Sequence, residues 1–373
     1  MYKDLASIKS INNSMTANEA VENILCLAVA EGASDIHCDP RHTDILIRMR
    51  SDGLISEVGT LPRRLTDEFI SRLKILSGAR TDVHAVPQDG RWQTHVNGQA
   101  YNIRISFMPT YYGENAVMRI LSTAIAGQSS FAGLGFTPDH VYAIIEALKK
   151  TSGLILVTGP TGSGKTTTLH TCLTSKRREP LSIVTLEDPV EYEIAGVSQV
   201  HIRQTHGVTF ASGLRSVLRQ DPDVIMVGEI RDNETARVAV HTALTGHLVL
   251  STLHTNSALE TIPRLLDMGV DNYLLAATLR LIVAQRLVRT ICRDCGMVGC
   301  ESCNQTGYHG RTIIAEVCLI DDKMQKMIAD KKSLSDIASY AKSHGFHSIN
   351  QDGLEKVDWG ITSHEELTRV LAT

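Results

Sequence analysis

Apolar positions follow two rhythms along the 373 residues: spaced out in the first third, and gathered into solid runs thereafter. Behind the capping box Thr16-Ala17-Asn18-Glu19, the residues Val21, Ile24, Leu25, Ala28 and Val29 recur at helical spacing until Gly32 stops the helix. Asp44 to Arg50 alternates, with Ile45, Ile47 and Met49 on one side, and Asp52-Gly53 supplies a turn. Phe69, Ile70, Leu73 and Leu76 mark a second amphipathic helix, closed by Gly78. Asn97-Gly98 is a type I′ hairpin signal joining a strand near Arg91–Val96 to one over Gln99–Phe107. In the latter, Tyr101, Ile103, Ile105 and Phe107 share a face, which leaves Asn102, Arg104 and Ser106 on the other. A further strand, Ala116–Leu121, carries Arg119. Short strands with two helices describe a small antiparallel α+β domain over residues 16–121, preceded by a polar arm, 1–15.

Residues 122–137 are rich in Gly, Ser and Ala and read as a linker, with Thr137-Pro138-Asp139 opening the next helix. Beyond it the runs Leu154–Thr158, Leu181–Leu186, Val224–Val227 and Leu248–Thr252 have the look of buried parallel strands separated by helical segments. Each ends in polar residues, the arrangement of an α/β sheet that binds ligand at its C-terminal edge. The domain is expected to span 138–373.

The first of those runs leads into Gly159-Pro160-Thr161-Gly162-Ser163-Gly164-Lys165-Thr166, the G-x-x-x-x-G-K-T phosphate-binding loop, with Thr167 continuing into a helix. Glycines let backbone N–H groups turn around a phosphate, and the helix N-terminus adds positive partial charge. Lys165 can reach the β/γ-phosphates and the Thr166 hydroxyl can ligate Mg²⁺, so a nucleoside triphosphate with Mg²⁺ is the expected ligand. Hydrolysis also needs a group to orient water. Glu229, after an apolar strand and Gly228, is the first candidate, against an N-cap role for the next helix. Glu187 is the second, helping position water or Mg²⁺, against simple strand termination at Glu187-Asp188-Pro189. His247 and His254 flank the fourth strand. Beyond Lys165 the core shows no evident cation for the γ-phosphoryl group.

Net charge is −4, with 43% hydrophobic and 21% charged residues, which suits a globular protein and argues against one that coats nucleic acid. No apolar run nears membrane-spanning length and no signal-peptide core opens the chain, so membrane contact is expected only through partners. Of eight cysteines, four lie in Cys292-Arg293-Asp294-Cys295 and Cys300-Glu301-Ser302-Cys303. Two C-x-x-C pairs point to a structural tetrahedral Zn²⁺ site within 290–311, with disulfides or an iron–sulfur cluster as alternatives.

Together these motifs resemble the secretion-ATPase superfamily, in particular the assembly motors of type II secretion systems and type IV pili. The resemblance rests on the phosphate loop, the acidic box Thr185–Tyr192, Gly228-Glu229, and the His box from Thr245-Gly246-His247 to His254-Thr255-Asn256. In the N-terminal domain it rests on Ala33–His37, Gln88–Arg91 and Tyr111–Asn115. It implies a PAS-like N-terminal domain, a RecA-like α/β core, a homo-hexameric ring, and a cytoplasmic motor held at the inner membrane by a platform protein. It implies nucleotide contacts for His254. It also implies that Arg104 and Arg119, with Arg91 as a weaker third, serve the nucleotide of a neighbouring subunit; otherwise they are solvated strand arginines. Four cysteines are the mark of assembly motors more than of retraction motors. A further N-terminal docking domain found in many relatives is not evident, which leaves the docking surface open. A nucleic-acid translocase or DNA-uptake motor, a pilus retraction ATPase and a non-hydrolysing scaffold are the rival readings.

Overall fold

The computed structural model describes residues 15–122, 130–177, 180–191, 193–202 and 207–372. The expected arm up to residue 14, the middle of the linker (123–129) and Tyr192 of the acidic box therefore lie outside the described residues. The chain divides into two compact units, Met1–Ile125 and Ala126–Thr373.

In the first unit, α1 (Ala17–Ala30) begins with the capping box, Thr16 and Glu19 each bonding the other's backbone. Strands β1 (Ala33–Pro40), β2 (Asp44–Ser51) and β3 (Leu54–Pro62) follow, then α2 (Thr66–Ser77), ended by Gly78 in the left-handed region at φ 73°. Strands β4 (Gln88–Val96), β5 (Gln99–Thr110) and β6 (Gly113–Ser122) complete one antiparallel sheet in the order β3-β2-β1-β6-β5-β4. Asn97 and Gly98 both take positive φ, as a type I′ turn requires. One face of this sheet packs on both helices: Ile36, Ile47, Met49, Ile103, Phe107 and Met118 are all buried against Ile24, Phe69 and Leu73. The other face is polar.

The second unit opens with a short helix α3 (Phe131–Leu134) and α4 (Pro138–Leu148). Residues 131–136 were expected in the linker. Instead Phe131 and Phe136 are buried with Ile144 and Ile155, because two aromatic rings outweigh a Gly-rich surround. The sheet comprises β7 (Gly153–Thr158), β8 (Ile183–Glu187), β9 (Ser198–His201), β10 (Val224–Val227), β11 (Leu248–Leu253), β12 (Leu279–Ile291) and β13 (Tyr308–Leu319), in the order β13-β12-β7-β11-β10-β8-β9. All neighbours are parallel except β12 and β13. Helices α5 (Lys165–Lys176), α6 (Phe210–Val217), α7 (Asn233–Leu244), α8 (Thr261–Asp267) and α9 (Asn272–Thr278) connect the strands. Helices α10 (Asp322–Ala329), α11 (Leu334–Ser343), α12 (Ile349–Asp358) and α13 (His364–Leu371) follow β13. Both faces of the sheet are covered, so β7, β8, β10 and β11 are buried at every position and show no alternation.

Candidate nucleotide and metal sites

Four parallel strands deliver their C-terminal ends to one edge of the second sheet. β7 runs into the phosphate loop, where Gly159, Gly162 and Gly164 take φ of 143°, 79° and 87°, values that side-chain-bearing residues rarely adopt. Gly164 caps α5, so the helix N-terminus points its free N–H groups at the loop. Lys165 donates through Nζ to the carbonyls of Gly159 at 2.8 Å and Pro160 at 3.0 Å. Burial pulls its ammonium below the ordinary value; the Glu229 carboxylate opposes this and Arg286 adds to it. Pro160, Thr161 and Gly162 are exposed, while Thr166 and Thr167 are half-buried on the first turn of α5.

Glu229 sits two residues past the end of β10 and is fixed by its neighbours' backbone. Gly228 N–H donates to Leu186 on one side and Ile230 N–H to Thr252 on the other. The Thr252 hydroxyl donates to the Gly228 carbonyl at 2.8 Å. The Glu229 carboxylate pairs with Arg231 at 2.6 Å and lies 3.7 Å from Nε2 of His254, which is half exposed. Arg231 adds a second cation, besides Lys165, beside the Glu229 carboxylate. Its signal was its place two residues after Glu229 in Gly228-Glu229-Ile230-Arg231. Arg286, from β12, is close enough to influence Lys165 as well.

Glu187 is enclosed. Its carboxylate accepts from the Thr185 hydroxyl at 2.6 Å and the Gln199 amide at 2.9 Å, and His170 of α5 lies 3.7 Å away. Burial alone would raise its pKa, but the hydrogen bonds from His170, Thr185 and Gln199 together hold it below the usual value. His247 lies apart from Glu229's contacts, 3.2 Å from the Thr242 carbonyl. Thr158 joins two edges of the site: its hydroxyl accepts from Thr255 N–H at 2.8 Å, tying the phosphate loop to the His box.

The two arginines lie in the other unit. Arg104 of β5 stands directly opposite Arg91 of β4 and Arg119 of β6, and Arg119 opposite Asp35 of β1, which pairs in turn with Arg50 of β2. One row across the polar face thus holds four arginines and one aspartate. Asp35 accepts from Nε of Arg119 at 2.9 Å and lies 4.0 Å from Arg50. Like charges on adjacent strands are unfavourable, and Asp35, a member of the Ala33–His37 motif, was not singled out in sequence.

At the β12–β13 end, Sγ atoms of Cys292, Cys295, Cys300 and Cys303 lie within 4.8 Å of one another. Three of the separations, Cys292–Cys300, Cys295–Cys303 and Cys300–Cys303, are 3.7 Å. A tetrahedron of sulfurs about 2.3 Å from a central Zn²⁺ has edges of about 3.8 Å, which these three separations match, so the four thiols suit that ion. Backbone N–H groups of Gly299, Cys300 and Gly307 donate to these sulfurs, as suits thiolates. Of the remaining cysteines Cys38, Cys172 and Cys318 are buried and Cys26 is half-buried.

A profile of the family described as Type II/IV secretion system protein matches residues 12–369. The chain belongs to that family. Within it, the chain is 42% identical over 358 residues to the type II secretion system protein HxcR of Pseudomonas aeruginosa, covering 94% of this chain and 76% of the relative. The type II secretion system ATPase E of Vibrio cholerae is 42% identical over 368 residues, covering 92% and 73%. The type IV pilus assembly ATPase PilB of Thermus thermophilus is 40% identical over 378 residues, covering 94% of this chain and 42% of PilB. Among solved structures, the pilus retraction motor PilT with bound ADP superposes with a TM-score of 0.68 at 27% identity, covering 94% and 96%. The ATPase DotB of Legionella pneumophila gives 0.75 at 22% identity, covering 97% of both chains, and so speaks to the fold alone. This member is accordingly a secretion ATPase, an ATP hydrolase with a RecA-like core and a smaller N-terminal α+β domain. Among the described residues, no helix is long and apolar enough to cross a membrane.

Proposed function

We propose that this ATPase works as a hexameric motor for assembly of a pilus or pseudopilus and for secretion through it. The supporting observation is the convergence, on one sheet edge, of a lysine-bearing phosphate loop with a backbone-fixed carboxylate whose charge Lys165 feels. In this reading residues 159–167 cradle the phosphates, Lys165 holds the transferring group, and Glu229 orients the attacking water, with His254 beside it. Mg²⁺, when bound at Thr166 with the nucleotide, neutralises phosphate charge. Glu187, surrounded by protein donors, acts through His170 on the seating of α5. Arg104 and Arg119 supply positive charge to the nucleotide of a neighbouring subunit, which explains three arginines abreast in one sheet. Cys292, Cys295, Cys300 and Cys303 hold one Zn²⁺ as a structural site, since four thiolates leave no open position. The cluster favours assembly over retraction. Attachment to the inner membrane runs through a platform protein, and nucleic acid is not a stable partner.

Lys165→Ala should lose phosphate contact and hydrolysis together. Glu229→Gln should retain ATP binding while turnover falls by a factor of about 100 or more. Steady-state phosphate release alongside equilibrium nucleotide binding separates the two, and near-parental turnover in Glu229→Gln would refute its assignment.

A further inference from the structure

Gln285 of β12 is fully buried, and sequence reading gave it no role. Its amide Nε2 donates to the carbonyl of Ser163 at 2.7 Å, and its Oε1 accepts from the hydroxyl of Thr168 at 2.9 Å. Ser163 lies inside the phosphate loop, and Thr168, itself fully buried, on the first turn of α5. One side chain from a neighbouring strand therefore ties the loop to the helix it introduces.

We propose that Gln285 is a positioning residue for nucleotide, holding the Ser163–Gly164 peptide in its phosphate-ready orientation. A trans peptide keeps its C=O and the following N–H pointing opposite ways. Fixing the Ser163 carbonyl toward β12 therefore aims the Gly164 N–H away from β12, to the outer side of the loop where a phosphate is received. A buried carbonyl left without that donor would seek another partner by turning the peptide, which takes the N–H with it. The glycines agree. A Cβ on Gly159 would lie 2.4 Å from the Gln285 carbonyl oxygen, and one on Gly164 3.2 Å from Nε2 of Gln285. Two glycines of the loop thus give it the close approach to β12 on which the amide contact depends.

The inference rests on the phosphate loop binding nucleotide, and its test separates the two. Equilibrium binding of ADP and of Mg²⁺ with a non-hydrolysable ATP analogue is measured on the full chain, parent and variants, beside melting without nucleotide. Gln285→Met fills a similar volume but donates nothing. It should raise the nucleotide Kd roughly tenfold or more, with KM rising and kcat at saturation changing less. Thr168→Val removes only the helix bond and should raise Kd less. A residue that merely packs would lower the melting temperature and leave Kd alone. Variants that bind within about twofold of a binding parent overturn the role of Gln285 and spare the loop's. A parent that binds no nucleotide overturns both. Should Gln285→Met fail to fold, Thr168→Val decides by the same measure: a Kd equal to the parent's overturns the tie, and a raised one supports it.

Discussion

Glu366, on α13, shows how one carboxylate can fasten a terminal helix to a central strand. It accepts from the backbone N–H and guanidinium of Arg289 on β12 and from the guanidinium of Arg369, with its own side chain fully enclosed. Burial alone would raise its pKa, but the bonds from Arg369 and Arg289 hold it at about 2. An unfolded glutamate titrates near 4.3. Because the folded value is the lower one, the stabilisation is complete above the unfolded value and is lost as pH falls toward 2. Glu366→Gln should then cost roughly 2–3 kcal/mol at neutral pH. The gap to the parent should close between about pH 4.5 and 2. Denaturant unfolding of both proteins across that range checks this, and a gap independent of pH would count against the charged pair.

Among the elements, the β12–β13 pair carries the most that was hard to foresee. Its thiol-bearing connection has few apolar residues, and two of its largest, Met297 and Val298, are exposed, so burial contributes little to its fold. On the proposed zinc reading, the bound metal supplies that stability. Elemental analysis of protein purified without added metal should find one zinc per chain, and well below one equivalent, without iron and without loss in purification, would defeat the site. Cys300→Ser should lower the melting temperature by several degrees while nucleotide affinity stays near parental. Sequence revealed the cysteines because their spacing is itself the chemistry. It revealed β7, β8, β10 and β11 because uninterrupted apolar runs admit few readings, and α1, α2 and the Asn97-Gly98 hairpin because caps and turns are local. It did not reveal β3, an edge strand mostly exposed, nor β1, whose Asp35, His37 and Asp39 break up the apolar signal. Gln285 gave no signal, and Arg231 only its place after Glu229, for another reason. Their partners lie on other elements or depend on how a loop turns, and periodicity carries no record of either.

At the scale of the whole molecule, the row Arg91, Arg104, Arg119 belongs to the N-terminal sheet while the phosphate loop belongs to the other unit. Arg104→Ala and Arg119→Ala should leave the fold intact and lower ATPase activity, because their proposed target is another subunit's nucleotide. Mixing either with Glu229→Gln subunits should recover activity, since some mixed interfaces then contain both parental groups. Confirmed mixed rings with no recovery would weigh against action between subunits. The arginine row has a thermodynamic side as well. Cations set side by side repel one another, and a polyphosphate facing them relieves that repulsion. On the proposed arrangement the relief is available only when subunits meet, and a coupling free energy acts equally in both directions. Whatever factor ring formation adds to the affinity for ATP, ATP must return to the affinity of subunit for subunit, so spent nucleotide would loosen the very contacts that fresh nucleotide draws tight.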